Sequence, residues 1–90
     1  MKKYFFHSLV FLFVIFIFSV RADANSIMQK GNEFYKNNQY QFAIDEYNKL
    51  IKQGFIGQSL YYNLGNAHYH LGKVGFAILY YKKALKLSPA

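Results

Sequence analysis

The sequence predicts an all-α fold: two helix-turn-helix units of one repeat, an α-solenoid fragment, preceded by an apolar N-terminal leader. Three observations carry that prediction. Identical residues recur at one fixed interval after residue 25. Within each interval, apolar residues fall three and four apart, the spacing of one helix face. Asn and Gly separate the apolar stretches and leave room for helices of 11–14 residues.

The leader, residues 1–24, is set apart from the folding segment. Met1-Lys2-Lys3 is a short positive region, and the apolar run Leu9–Phe18 follows, extended by Ser19-Val20. An apolar core of about 10–12 residues suits a secretory signal peptide and falls short of the ~20 needed to span a bilayer. Ala22-Asp23-Ala24 supplies the small residues of a cleavage site, and Val20-Arg21-Ala22 supplies a second. Cleavage is expected after Ala22 or Ala24. An uncleaved hydrophobic anchor is the competing reading, because Tyr4 to Val20 gives 17 residues, near the lower limit for a span. In both readings Lys2 and Lys3 stay cytoplasmic and the rest crosses.

Roughly 65 residues remain, a size at which a chain buries only about 60% of its unfolded surface and is marginally stable. The sequence has no cysteine, so neither disulfides nor thiolate metal ligands support it. The formal charge is +7. Beyond the leader, Lys30, Lys36, Lys49, Lys52, Lys73, Lys82, Lys83 and Lys86 face only Glu33, Asp45 and Glu46. That excess permits contact with anionic lipid or an acidic peptide. Lysines spaced along helices are, in the first place, solvated faces.

The repeat interval is 34 residues, set by Gly31/Gly65, Asn32/Asn66, Ala43/Ala77, Ile44/Ile78, Tyr47/Tyr81 and Lys49/Lys83. It divides the chain into units 25–57 and 58–90. The first helix is expected over about Ser26–Lys36 with Ser26 as N-cap, and Asn37-Asn38 as the turn. The second runs about Tyr40–Gln53, closed by Gly54, with Gly57 in the connector. The third runs about Ser59–Leu71 with Gly72 past its end, and the fourth about Val74–Leu87 before Pro89. Ile44, Tyr47 and Ile51 form one stripe, repeated by Ile78, Tyr81 and Leu85.

The second unit reads Tyr61-x-x-Leu64-Gly65-x-x-His68, then Ala77-x-x-x-Tyr81, then Pro89. The first reads Ile27-x-x-Lys30-Gly31-x-x-Phe34, then Ala43-x-x-x-Tyr47. This pattern resembles the tetratricopeptide repeat (TPR). Small residues at Gly31, Ala43, Gly65 and Ala77 let paired helices approach, and aromatic residues fill the layers between. Lys30 stands where that pattern has Leu, with a stem able to snorkel. His68 stands where an aromatic is usual. The first unit has Phe55 in the register of the closing proline.

A closer resemblance covers about Ser26 to the end. Leu60-Tyr61-Tyr62-Asn63-Leu64-Gly65-Asn66-Ala67 and Ala77-Ile78-Leu79-Tyr80-Tyr81-Lys82-Lys83-Ala84-Leu85, with the Gly31-Asn32 repeat before them, are similar to the TPR protein of the bacterial aerotolerance (Bat) operon, the BatE-like family. That resemblance implies a periplasmic location, or attachment to the outer face of the cytoplasmic membrane, within a Bat-type complex. Members of that family continue with further membrane and SH3-like segments. The chain is therefore expected to be a fragment or truncated product, and its last helix to expose apolar residues such as Leu79 or Leu87. Self-association through that end is expected.

No catalytic constellation emerges, and no cofactor or metal is expected. His68 and His70 lie about 200° apart around a helix axis, not one turn apart as a metal pair requires. No nucleophile adjoins a base among Glu33, Asp45 and Glu46. Gly54-Phe55-Ile56-Gly57 and Gly72-Lys73-Val74-Gly75 lack the context of a phosphate loop. No nucleic-acid module is recognisable, so nucleic acid is not an expected partner. The expected function is a non-enzymatic protein-interaction scaffold. A basic membrane-surface or nucleic-acid-binding helical module is the alternative.

In the TPR register the first helix of each unit lines a concave groove. Met28, Asn32, Tyr35 and Lys36 face it from the first unit, and Tyr62, Asn63, Asn66, Tyr69 and His70 from the second. Amides and phenols on rigid helices can grip the backbone of an extended peptide. The plainer reading is that Asn32 and Asn66 satisfy neighbouring helix ends. A clamp for a C-terminal carboxylate is not expected, because Met28 occupies the position where that clamp needs a lysine.

Overall fold

The structure, a computed structural model, describes residues 23–88, all-helical with three connectors. Four helices follow one another among the described residues: α1 over 23–36, α2 over Tyr40–Lys52, α3 over Gln58–His70 and α4 over Val74–Leu87. Helix α3 packs on both α2 and α4. The expected leader, apart from Asp23 and Ala24, lies outside the described residues, as does Pro89. Helix α1 is already formed at Asp23, so Ser26 is an interior helical residue and not the N-cap. Ala24, buried in the core, shows why: the helix needs this earlier turn to pack.

The three described connectors end their helices in one way. After α1, Gln39 N–H donates to Phe34 O at 2.9 Å and Asn38 N–H to Tyr35 O at 3.0 Å. After α2, Phe55 and Gly54 donate to Leu50 and Ile51, and after α3, Lys73 and Gly72 donate to His68 and Tyr69. Each is a Schellman closure, which requires a left-handed residue just past the helix. Gly54 and Gly72 supply it at φ 86° and 75°, and Asn38 supplies it at 63°. Asparagine is among the few side chains that tolerate this region.

The core gathers Ala43, Ile44, Tyr47 and Leu50 of α2, Leu60, Leu64 and Ala67 of α3, and Ala24 of α1. Both repeat glycines are steric necessities. A Cβ on Gly31 would lie 2.6 Å from Tyr47 Cε1, and one on Gly65 would lie 2.6 Å from Tyr81 Cδ1. Both contacts are far inside van der Waals distance, so the tyrosine ring occupies the space a side chain would need. Ala43 and Ala77 are buried as well.

The stripe on α2 is buried at Ile44 and Tyr47, with Ile51 half-buried and Leu50 added to it. Its expected copy on α4 is not buried in the same way. Ile78 and Leu85 are exposed, and only Tyr81 is partly covered. The reason is position: α3 lies on α2, and no described helix lies on α4 in that manner. Leu79 and Leu87 are exposed too.

Lys30 does more than snorkel. Its ammonium lies 3.8 Å from Glu46 Oε1, and Lys49 approaches the same oxygen at 2.9 Å. These contacts explain how Glu46 is buried on α2. His68 is buried between Phe76 and Tyr80, with centroids 5.1 and 5.5 Å away. It fills the aromatic position as a flat ring. Burial holds its pKa below the usual histidine value, and the nearby Lys73 charge adds to the effect.

Adding one methyl at Gly65 is expected to destabilise the protein by about 1–3 kcal/mol through overpacking against Tyr81. Ala77→Leu is expected to fall in the same range, about 1–3 kcal/mol. Gly75→Ala meets open space in α4 and is expected to be neutral or stabilising. Thermal melts of the three variants check this. A Gly65→Ala protein as stable as Gly75→Ala would contradict the close approach.

Candidate functional site

The groove starts from one contact made twice. Tyr47 O–H donates to Asn32 Oδ1 at 2.7 Å, and Tyr81 O–H donates to Asn66 Oδ1 at 2.6 Å. Each asparagine follows the glycine on which the tyrosine ring rests. The asparagines therefore bond the partner helix of their own unit rather than neighbouring helix ends. Asn63 Nδ2 also donates to Asn32 Oδ1, at 3.2 Å, and ties α3 to α1.

These bonds orient the amides. Asn32 Oδ1 accepts two bonds within the protein, and Asn63 Nδ2 gives one of its two hydrogens. Asn32 Nδ2 and Asn63 Oδ1 are the complementary atoms, one donor and one acceptor, which is what a peptide group matches. Both residues line a hollow of about 470 Å3 with Met28, Tyr62, Gln58 and Ser59. Gln58 and Ser59 were not singled out from the sequence. They stand four residues before Tyr62 and Asn63, on the same helix face, so the spacing held the signal.

The other expected groove residues form different groups. His70 stacks on Tyr40 with centroids 4.4 Å apart and planes 2° from parallel. Tyr35 meets both rings edge-on, at 5.4 Å from Tyr40 and 5.8 Å from His70. Tyr69 meets His70 edge-on at 6.2 Å. This aromatic cluster joins the C-terminal ends of α1 and α3 to the start of α2. Asn66 is committed to Tyr81, whose ring lies 5.9 Å from that of Tyr62. Lys36 is exposed. Among the described residues, no group of three or more His, Asp or Glu side chains is placed to hold a metal ion.

Residues 59–90 match the family described as Tetratricopeptide repeat. The matched stretch holds nearly all of α3 and the whole of α4. The match spans the Gly65–Tyr81 contact, and α1 and α2 repeat that contact with the same residue types. The match supports a TPR reading for residues 59–90. None of the curated proteins compared with the chain matches it. Repeats of this kind are typically non-catalytic protein-interaction modules, built to offer a concave surface.

Burial pushes the Tyr47 hydroxyl up to about 12, and the nearby Tyr35 adds to the rise. The folded state therefore holds the neutral phenol while the unfolded state ionises near 10. That stability is fully present below pH 10 and is lost as pH rises to about 12. Tyr47→Phe is expected to cost about 1 kcal/mol near neutrality, for the lost hydrogen bond. It should also flatten the alkaline fall in melting temperature relative to the unaltered chain. Parallel curves for both proteins between pH 9 and 12 would refute the assignment.

Proposed function

We propose that this chain is a non-enzymatic scaffold that binds an extended, acidic peptide segment of a protein partner across α1 and α3. One observation carries the reading: the oriented pair Asn32 and Asn63, presented side by side at the hollow. A peptide backbone crossing there finds a donor and an acceptor already fixed, so little ordering entropy is lost on binding. Met28 and Tyr62 add apolar contact beside them. Lys36, exposed one turn after Asn32 on α1, favours an acidic sequence over a basic one.

The proposal extends to place. The positive start and apolar run of the leader support export, followed by residence in the periplasm or attachment to the outer face of the cytoplasmic membrane. The resemblance to the BatE-like family supports membership of a Bat-type complex there. Ala24 sharpens the processing site. It is part of the core, so a cut after Ala22 keeps the packed residue, and a cut after Ala24 removes it.

Two experiments test these readings. In the first, an acidic peptide library is panned on the purified chain and on Asn63→Ala. Loss of the amide is expected to weaken selected peptides about tenfold, on the order of 1.4 kcal/mol, with an unchanged fold by circular dichroism. Peptides that bind both proteins equally would exclude the amide pair as the recognition element. In the second, the N-terminus of the exported protein is sequenced. It should begin at Asp23. A start at Met1 in the membrane fraction would establish the anchor instead, and a start at Met1 in the cytosol would end the envelope proposal.

A further inference from the structure

The turn between α1 and α2 and the turn between α3 and α4 lie side by side. Lys73 Nζ donates to Gln41 Oε1 at 3.4 Å, and the His70 ring stacks on Tyr40 across the same junction. The edge they form exposes large apolar side chains. Phe42 and Phe76, each the third residue of its helix, are both 56% exposed. Leu71, just past α3, and Val74, at the start of α4, are exposed as well. Phe42 is not exposed for want of a neighbouring helix. Helix α3 packs on α2, where Ile44 and Tyr47 are buried, and Phe42 still stands in solvent as Phe76 does. The apolar edge is thus a feature of both units.

The same edge is basic. Residues 34–44 and 68–78 contain no Asp or Glu, and Lys36 and Lys73 are exposed within them. Asp45 is one turn further along α2, and its carboxylate accepts a bond from Gln41 at 3.1 Å. Apolar side chains at two adjoining turns, with ammonium groups beside them, have the chemistry of the interfacial layer of an anionic bilayer. There apolar tips enter at the acyl boundary and cations meet the phosphates. We propose that this edge docks on an anionic lipid surface. Phe42, Leu71, Val74 and Phe76 enter the interfacial layer, and Lys36 and Lys73 meet the headgroups.

Other occupants fit the edge less well. A second copy placed edge to edge would bring Lys36 and Lys73 against the same lysines, with no carboxylate in either turn to pair them. A nucleic-acid strand would stack its bases on aromatic rings, and Leu71 and Val74 between the two phenylalanines offer none. A folded protein must match the relief of two separate turns, whereas fluid lipid takes the shape of whatever enters it. The surface is also distinct from the peptide groove, whose hollow is lined by other residues.

The test exploits the absence of tryptophan from the sequence. Phe76→Trp places one reporter on the edge of the purified full chain. Phe55→Trp places another beyond the opposite end of α2, on a residue that is also exposed. Each protein is mixed with vesicles of bromine-labelled phosphatidylglycerol, and with labelled phosphatidylcholine as the neutral control. On the anionic vesicles the tryptophan at 76 is expected to shift to the blue and to be quenched, and the one at 55 to be neither. Quenching at 76 should fall as salt is raised. Lys73→Glu, added to Phe76→Trp, should raise the lipid concentration needed for half quenching at least about fivefold. Val74→Asp should abolish the blue shift with the helical spectrum unchanged, and Asn63→Ala should leave it intact. Equal quenching of the two reporters would mean attachment through the leader alone and would overturn the proposal. No quenching at 76, equal quenching there by neutral vesicles, or insensitivity to both Lys73→Glu and Val74→Asp would overturn it too. A blue shift at 76 that appears with protein concentration or with a single-stranded oligonucleotide, and not with vesicles, would assign the edge to self-association or to nucleic acid instead.

Discussion

In each hairpin a tyrosine ring rests against a glycine, and its hydroxyl ends on the asparagine next in sequence. Every component is constrained by the others. A Cβ on the glycine would collide with the ring, so no other residue lets the two helices come this close. A ring without a hydroxyl would leave the asparagine oxygen without this donor. The asparagine sits beside the glycine because the hydroxyl reaches past the glycine to the next residue. One contact therefore fixes the spacing of the paired helices and also the orientation of an amide that borders the groove. Both units make the contact with the same three residue types.

The two units differ where their neighbours differ. Lys30 and Glu46 form an ion pair on the first unit, and the corresponding positions of the second hold Leu64 and Tyr80. Leu64 is completely buried under the inter-unit contact, whereas Lys30 faces solvent. A lysine where water touches the helix and a leucine where another helix covers it is the pattern burial favours. The exchange is concerted: both members change character together, so no carboxylate is buried without a cation.

Much of this was legible in the sequence because the 34-residue period couples local and tertiary information. A helix face alone would not have shown which alanines are buried, but Ala43 and Ala77 share a register with glycine and tyrosine partners. The helix ends were readable for the same reason, since Gly54 and Gly72 have few roles besides the left-handed closure. What escaped was information held in neighbours. Ser26 looked like a cap because serine is good at capping, yet packing of Ala24 extends the helix past it. Ile78 and Leu85 looked like core because their copies are core. Their exposure depends on which helix lies alongside, and periodicity does not encode that. The pairing of Asn32 with a tyrosine 15 residues on required two helices to be placed before it was visible.

The same contact sits in two different environments, and the difference is physical. Tyr47 is fully buried because α3 covers it, and its hydroxyl is pushed up to about 12. Tyr81 is raised by the same burial effect but remains partly exposed. A hydrogen bond shielded from water is electrostatically stronger and harder to exchange for a solvent bond. Asn32 is thus held by the better shielded tyrosine and is tied in addition to Asn63. Asn66 is held by one that stays partly exposed. The junction of α1 and α3, where the amide pair lies, therefore carries the more shielded and more heavily tied contact. The two copies of one contact thus differ in shielding because α3 covers α2 and no described helix covers α4 in the same way.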